Sequence, residues 1–399
     1  MFKELHSNVK ILLITSGFLS LSMGITYPFL SEYIYTITGS AVTAGIVASI
    51  HNITCICFLI LGGFLTDHIG RKKPIWIGTY LLSLSQFLYA LADEEFEFFL
   101  AAMIEGISCL YFPAFNAMIM DSVGSGRLMS TFTLALIINH LPFTVTSILG
   151  GYFRDSYGLL GLRIGFIFGG LITLIIGSIR WRVLSETMES VKYLNIKMLY
   201  KPYINVVKDF QRLPDIVKKL VMLRSFVLLI GIFALYYFSI LYAVNYANIV
   251  SFTEWGLIVS LSSIAYTFAL PLTRLVVMIK PPISYSILIL CEALTPLLFL
   301  LNMKITLFIA MALLNVCSAL IYGMERSIVA KMVEQNLRGR SETFMDLSYY
   351  FGATIGSLIG GYVYSYSPPF LLIIISSLLM VGAIFGFFIF AKSPKIGGQ

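Results

Sequence analysis

An ionisable side chain at the centre of a membrane helix raises the insertion free energy by on the order of 3 kcal/mol. The acids, bases and histidines inside long apolar runs of this chain are therefore its first candidates for chemistry. Glu105 leads them. It lies in an apolar run over 97–121, and Cys109, Phe112 and Asn116 follow on the same side at helical spacing. A carboxylate on such a face can take up a proton or hold a positively charged solute. The plainer alternative is a carboxylate satisfied by a neighbouring His or hydroxyl. Glu325 and Arg326 sit in a later run, where Asn315, Tyr322 and Arg326 share a face. They are expected to form a buried ion pair with each other or to hold an anionic group. His51 and His140 fall near mid-run and are candidates for a proton relay. Tyr242 and Asn245 belong to an aromatic and amide cluster that could stack on a flat or cationic solute, or form part of an interfacial belt. Glu292 is assigned a structural role.

The elements that must position these groups are helices. The chain has 399 residues, of which 58% are hydrophobic and 12% charged, and its mean hydropathy is +0.89. A soluble domain carries about 25% charged residues, so a water-soluble core of this size is excluded. Apolar runs of 18 or more residues read as spanning helices. Twelve are expected, at 10–34, 42–66, 74–92, 97–121, 128–152, 159–181, 222–247, 253–279, 283–301, 305–330, 341–365 and 369–391. The runs are continuous rather than alternating, which favours helices over a barrel.

The net charge of +7 does not point to nucleic acid. All Lys and Arg except Arg154, Arg163 and Lys304 fall in or beside alternate loops, and the loop Asp93-Glu94-Glu95-Phe96-Glu97 has no cation. By the positive-inside bias both termini are expected in the cytoplasm of a multi-pass cell-membrane protein. The five cysteines all lie inside apolar runs, and Cys55 and Cys57 do not face each other on a helix. No disulfide, metal site or cofactor is expected from these spacings. Residues 182–221 break the apolar pattern with clustered bases and two prolines. They read as a cytoplasmic linker with surface helices at the headgroup level. The domain plan is then 1–181, a six-helix bundle; 182–221, the linker; and 222–399, a second six-helix bundle.

The two halves carry matching segments. Leu65-Thr66-Asp67 with Lys73-Pro74 recurs as Leu272-Thr273-Arg274 with Lys280-Pro281, Gly126-Arg127 as Gly339-Arg340, and Gly150-Gly151-Tyr152 as Gly360-Gly361-Tyr362. Repeats of this kind build alternating-access carriers.

The stretch Gly63-Phe64-Leu65-Thr66-Asp67-His68-Ile69-Gly70-Arg71-Lys72 resembles the loop between helices 2 and 3 of the major facilitator superfamily, whose pattern is G-x-L-a-D-r-x-G-R-K/R. His68 stands where Arg is usual. The resemblance covers nearly the whole chain. It implies an all-α integral membrane protein of 12 transmembrane helices in two pseudo-symmetric six-helix bundles, with helices 1, 4, 7 and 10 lining a central cavity. It also implies a cytoplasmic gate made by Gly63, Asp67, Gly70, Arg71 and Asp121. Asp67 would face the start of helix 11 near Ser341 to Phe344, and Arg71 would pair with Asp121 at the end of helix 4. Two departures are visible. Ala102 stands where many proton-coupled members carry Arg, and Thr146 to Gly151 lacks the Gly-Pro of the antiporter motif G-P-x-x-G-G. Pro142 is expected to kink that helix instead.

The reading is a secondary active transporter, not an enzyme, since no nucleotide loop, metal cluster or nucleophile elbow is present in the sequence. It would move a small organic solute by alternating access, coupled to protons, with a lean to efflux of amphipathic compounds. The alternatives are proton-coupled uptake of a sugar or metabolite, and a transporter-like membrane sensor or scaffold. Cavity residues would be Glu105, Asn116, Tyr242, Asn245, Tyr322, Glu325 and Arg326, with His51 and His140 as relays. The partners are the solute, protons and the lipid bilayer, without nucleic acid, and the protein is expected to be a monomer.

Overall fold

In lipid a backbone has no water to bond, so each apolar run must close its own hydrogen bonds as a helix. The computed structural model describes residues 5–123, 128–140, 142–188, 199–333 and 338–391. It is all-helical, with 90% of residues in helix and no strand among those described. Helical segments lie under every expected apolar run. Among the described residues nine are long and apolar enough to cross a membrane: Ser7–Thr38, Ala41–Ile69, Glu95–Ser122, Leu159–Val183, Asp215–Tyr246, Phe252–Met278, Pro281–Phe299, Lys304–Val329 and Pro368–Ala391. Lys72–Leu91, Leu128–His140, Phe143–Tyr157 and Arg338–Tyr366 are the other long helices. Large apolar side chains face outward on many of them, Leu270, Val277 and Met278 among the most exposed. That surface suits lipid rather than water.

Local chemistry sets the ends and breaks. Glu94 opens Glu95–Ser108 with a capping box to Glu97, and Ser251 does the same with Glu254 for Phe252–Ala265. Pro28 sits in the 3-10 turn Tyr27–Phe29 that interrupts the first helix. Pro142 is the cap of Phe143–Tyr157. The helix expected from 222 begins earlier, at Asp215 after Pro214, and includes π-helical turns at Arg224–Leu228 and Leu241–Tyr246. Within the expected linker, Lys201–Arg212 is a helix with no buried residue, while 189–198 lies outside the described residues.

The chain divides into two compact units, one of residues 1–38 and 50–205, the other of 39–49 and 206–399. In the first, Lys72–Leu91 packs on Leu159–Val183, where Ser83 Oγ donates to the Gly170 carbonyl at 2.7 Å. In the second, Arg338–Tyr366 packs on Leu229–Ile240 through a glycine seam. A Cβ on Gly356 would meet the Ile230 carbonyl oxygen at 2.4 Å, so only glycine allows that approach. At Gly63 a Cβ would meet nothing within 4 Å. The expected outcome is that Gly356→Val destabilises by about 1–3 kcal/mol through overpacking, read as a lower thermal midpoint in detergent. Gly63→Ala should leave that midpoint unchanged or slightly raised, because glycine weakens a helix interior.

Candidate functional site

Glu105 is the centre of the first unit's polar interior. It is 5% exposed. It accepts a hydrogen bond from the Tyr27 hydroxyl on one oxygen and from the Tyr89 hydroxyl, at 2.9 Å, on the other. Gln86 Nε2 donates to the Tyr27 hydroxyl at 3.3 Å. His51 Nδ1 stands 3.5 Å from Glu105 Oε2. Two residues singled out separately by the sequence thus form one cluster. Tyr27, Gln86 and Tyr89, which complete it, went unnoticed because hydroxyls and amides in apolar runs carry no positional signal of their own.

The expected single face of Glu105, Cys109, Phe112 and Asn116 does not form. The helix ends at Ser108 and resumes at Tyr111. Pro113 has no N–H to bond the Cys109 carbonyl, and Phe112 N takes that oxygen at 3.1 Å instead. Glu105 and Cys109 stay buried, while Phe112 is 38% exposed and Asn116 is exposed. Asn116 is therefore not in the Glu105 cluster. Cys109 is joined to Cys55 as a disulfide, which corrects the expectation of none. The partners come from different helices, so spacing along the chain could not pair them. His140 ends Leu128–His140, and its side chain lies outside the described residues.

The charged loop is organised by Arg71. Its Nε donates to Asp121 Oδ2 at 3.1 Å, and a terminal nitrogen donates to the Thr66 carbonyl at 2.8 Å and lies 3.8 Å from Asp67 Oδ1. Glu186 adds a carboxylate that the sequence did not flag. It accepts the backbone N–H groups of Arg71 and Lys72 at 2.9 and 3.0 Å. Gly70 has φ +90°, and a Cβ there would strike Glu186 Oε2 at 2.4 Å, so this turn requires glycine. The Asp67 side chain is 70% exposed.

In the second unit Glu325 is fully buried, but its ion-pair partner is Arg224, not Arg326. Successive helical residues point about 100° apart, so Glu325 and Arg326 face different neighbours. Tyr285 donates to Glu325 at 2.7 Å, and Arg224 Nε donates to Ser348 Oγ at 3.2 Å. Arg326 pairs with Asp346 at 2.6 Å and lies 4.9 Å from the Tyr322 ring centroid. Tyr242 is 2% exposed, and its hydroxyl donates to Asn302 Oδ1 at 3.0 Å. Asn245 Oδ1 is buried with no partner among the described residues. Glu292 is buried and accepts from Ser318 at 2.6 Å.

Arg180, which reads in sequence as a loop-flanking base, is fully buried. It donates to Thr15, Thr79 and Ser16 hydroxyls at 3.1, 2.8 and 3.2 Å. No carboxylate pairs with it among the described residues.

These features define a polytopic, all-helical membrane protein with isolated charges held inside its helix bundles. The Major Facilitator Superfamily model matches residues 12–291 and 225–399, and the chain belongs to that superfamily. It is 22% identical over 395 residues to a Na(+), Li(+), K(+)/H(+) antiporter of Planococcus maritimus, covering 89% of each chain. It is 24% identical over 156 residues to the quinolone resistance protein NorA of Staphylococcus aureus, 39% of each. Among solved structures it resembles the nucleoside transporter NupG, with TM-score 0.77, 17% identity, and coverage of 97% of this chain and 100% of that one. A POT family transporter in complex with 5-aminolevulinic acid gives TM-score 0.77 at 12% identity, with full coverage of both.

Removing one partner of a buried ion pair typically destabilises by 3–5 kcal/mol, because the other charge is left unanswered. Arg224→Met should therefore lower the thermal midpoint and the folded yield strongly. Arg224→Met with Glu325→Leu should recover most of that loss.

Proposed function

We propose that this protein is a secondary active transporter with twelve membrane-spanning helices and cytoplasmic termini. It exchanges protons for a small amphipathic, positively charged organic solute by alternating access, in the direction of export. The observation that carries this reading is Glu105. A carboxylate inside an apolar bundle, answered by two tyrosine hydroxyls and an imidazole but by no Lys or Arg among the described residues, is a place to bind and release positive charge. The names of the two relatives support it, one an antiporter that includes protons, the other a drug-resistance protein. The Arg71 and Asp121 contact, with Asp67 beside it, is assigned to the cytoplasmic gate. Tyr322 and Arg326 remain the cavity candidates of the second unit, whereas Tyr242 and Glu325 are given structural roles there.

A second reading has its own support. The antiporter relative, matched over 89% of this chain, is named for monovalent metal cations, and a buried carboxylate suits an inorganic cation as well as an organic one.

Both readings are tested in proteoliposomes holding a pH-sensitive dye. Wild type should move protons when a lipophilic cation, or else sodium, lithium or potassium, is added to one side. Glu105→Gln should reduce that flux at least about tenfold, a loss of the order expected for a charged group that acts on the transported species. Undiminished flux in the variant would remove Glu105 from the mechanism. Solute binding without flux in wild type would overturn the transporter reading in favour of a sensor.

A further inference from the structure

Beside Glu105 lie three donor side chains, and two of them, Cys55 and Cys109, have no part in the transport reading. One ring nitrogen of His51 and the sulfurs of Cys55 and Cys109 all lie within 4.8 Å of one another. His51 and Cys55 are one turn apart on Ala41–Ile69, and Cys109 comes from the turn that follows Glu95–Ser108. Cys55 and Cys109 are 0% and 3% exposed, while the His51 side chain is 23% exposed.

The approach of the two helices is built in. A Cβ on Gly106 would lie 2.7 Å from the His51 carbonyl oxygen and 2.5 Å from Thr54 Cβ, so any larger residue would push the cysteines apart. The imidazole is also aimed. His51 Nε2 faces Cys55 Sγ at 3.8 Å, and Nδ1, buried without a hydrogen-bond partner, faces Glu105 Oε2 at 3.5 Å. A carboxylate behind one imidazole nitrogen holds the other toward a metal in many metal sites.

We propose that in its dithiol form this cluster binds a thiophilic divalent cation of the zinc type, through His51 Nε2 and the thiolates of Cys55 and Cys109, with a fourth position open. Soft thiolates and an imidazole select such ions over sodium, potassium or magnesium. With Zn–S near 2.3 Å and Zn–N near 2.0 Å, tetrahedral donors are about 3.5–3.8 Å apart. For a nitrogen and a sulfur that spacing is about 3.5 Å, and the His51 to Cys55 separation of 3.8 Å is close to it. The Cys55 and Cys109 Cα atoms are 5.4 Å apart, so opening the disulfide and parting the sulfurs requires side-chain rotation, not helix movement. Each thiol releases its proton as it binds the metal. The inference stands independently of what the protein transports.

The test uses the full chain in detergent, reduced with a phosphine that becomes its oxide as the disulfide becomes two thiols, then desalted without oxygen. Equilibrium dialysis against zinc should show about one tightly held ion per chain, and cobalt should give a thiolate-to-metal band in the near ultraviolet. Cys55→Ser, Cys109→Ser and His51→Ala should each weaken zinc binding about tenfold or more, while Cys317→Ser should not. Zinc retained at wild-type affinity by the Cys55→Ser, Cys109→Ser double variant would overturn the proposal. If the serine variants fail to fold, wild type decides alone: a cobalt thiolate band that is absent after reduction, or equally strong before it, also overturns the proposal. Neither outcome depends on flux, so failure here and failure of the transport reading remain distinguishable.

Discussion

Inside a bilayer a charge must be answered by protein, because no water is present to do it. Much of this structure follows from that constraint. Glu32 is fully buried and accepts from Nε and one terminal nitrogen of Arg154, at 3.1 and 2.7 Å. Glu325 is held by Arg224 and Tyr285, and Arg180 by three hydroxyls. Every one of these contacts ties helices that are distant in sequence. Apolar packing alone would leave helix rotation loosely specified, since lipid is as apolar as leucine; the charges remove that freedom.

The buried charges differ in how they are answered. Glu32 and Glu325 have opposite charges bonded to them, so exchanging a ligand there would leave a guanidinium unpaired. Glu105 has only neutral hydroxyls and a histidine. Its neighbours orient the carboxylate, and no Lys or Arg among the described residues bonds it. Arg180 is the converse case, a cation stabilised by hydroxyls and by the rings of Tyr111 and Phe115 at 5.8 and 6.0 Å. Glu292, buried and bonded by the Ser318 hydroxyl, is a further charge site answered by a neutral group.

At the loop after Ala41–Ile69 the same economy operates in a more polar setting. Arg71 spends its side chain on Asp121, Thr66 and Asp67, and its backbone on Glu186. Glu186 lies just past the end of Leu159–Val183. The loop therefore holds the ends of four helices together through one guanidinium and the carboxylates of Asp121 and Glu186, and Gly70 is the residue small enough to let them meet.

The amino-acid sequence shows that the chain is helical and lipid-facing, because composition and run length decide how a backbone satisfies itself. It also singled out Glu105, His51, Arg71 and Asp121, since a charge or histidine in an apolar run, or a patterned charged loop, is visible without coordinates. Partnership was left to tertiary structure. Glu325 turned from its neighbour Arg326 to Arg224, Cys109 found Cys55, and the break before Pro113 took Asn116 away from Glu105. Glu186 and Arg180 acquired meaning only in place. The physical reason is one of scale. Helical periodicity says which way a side chain points on its own helix to within a few tens of degrees, but an ion pair or sulfur contact is decided over a few ångströms by how that helix is rotated and broken against others. That rotation is the sum of many packing contacts no local pattern records.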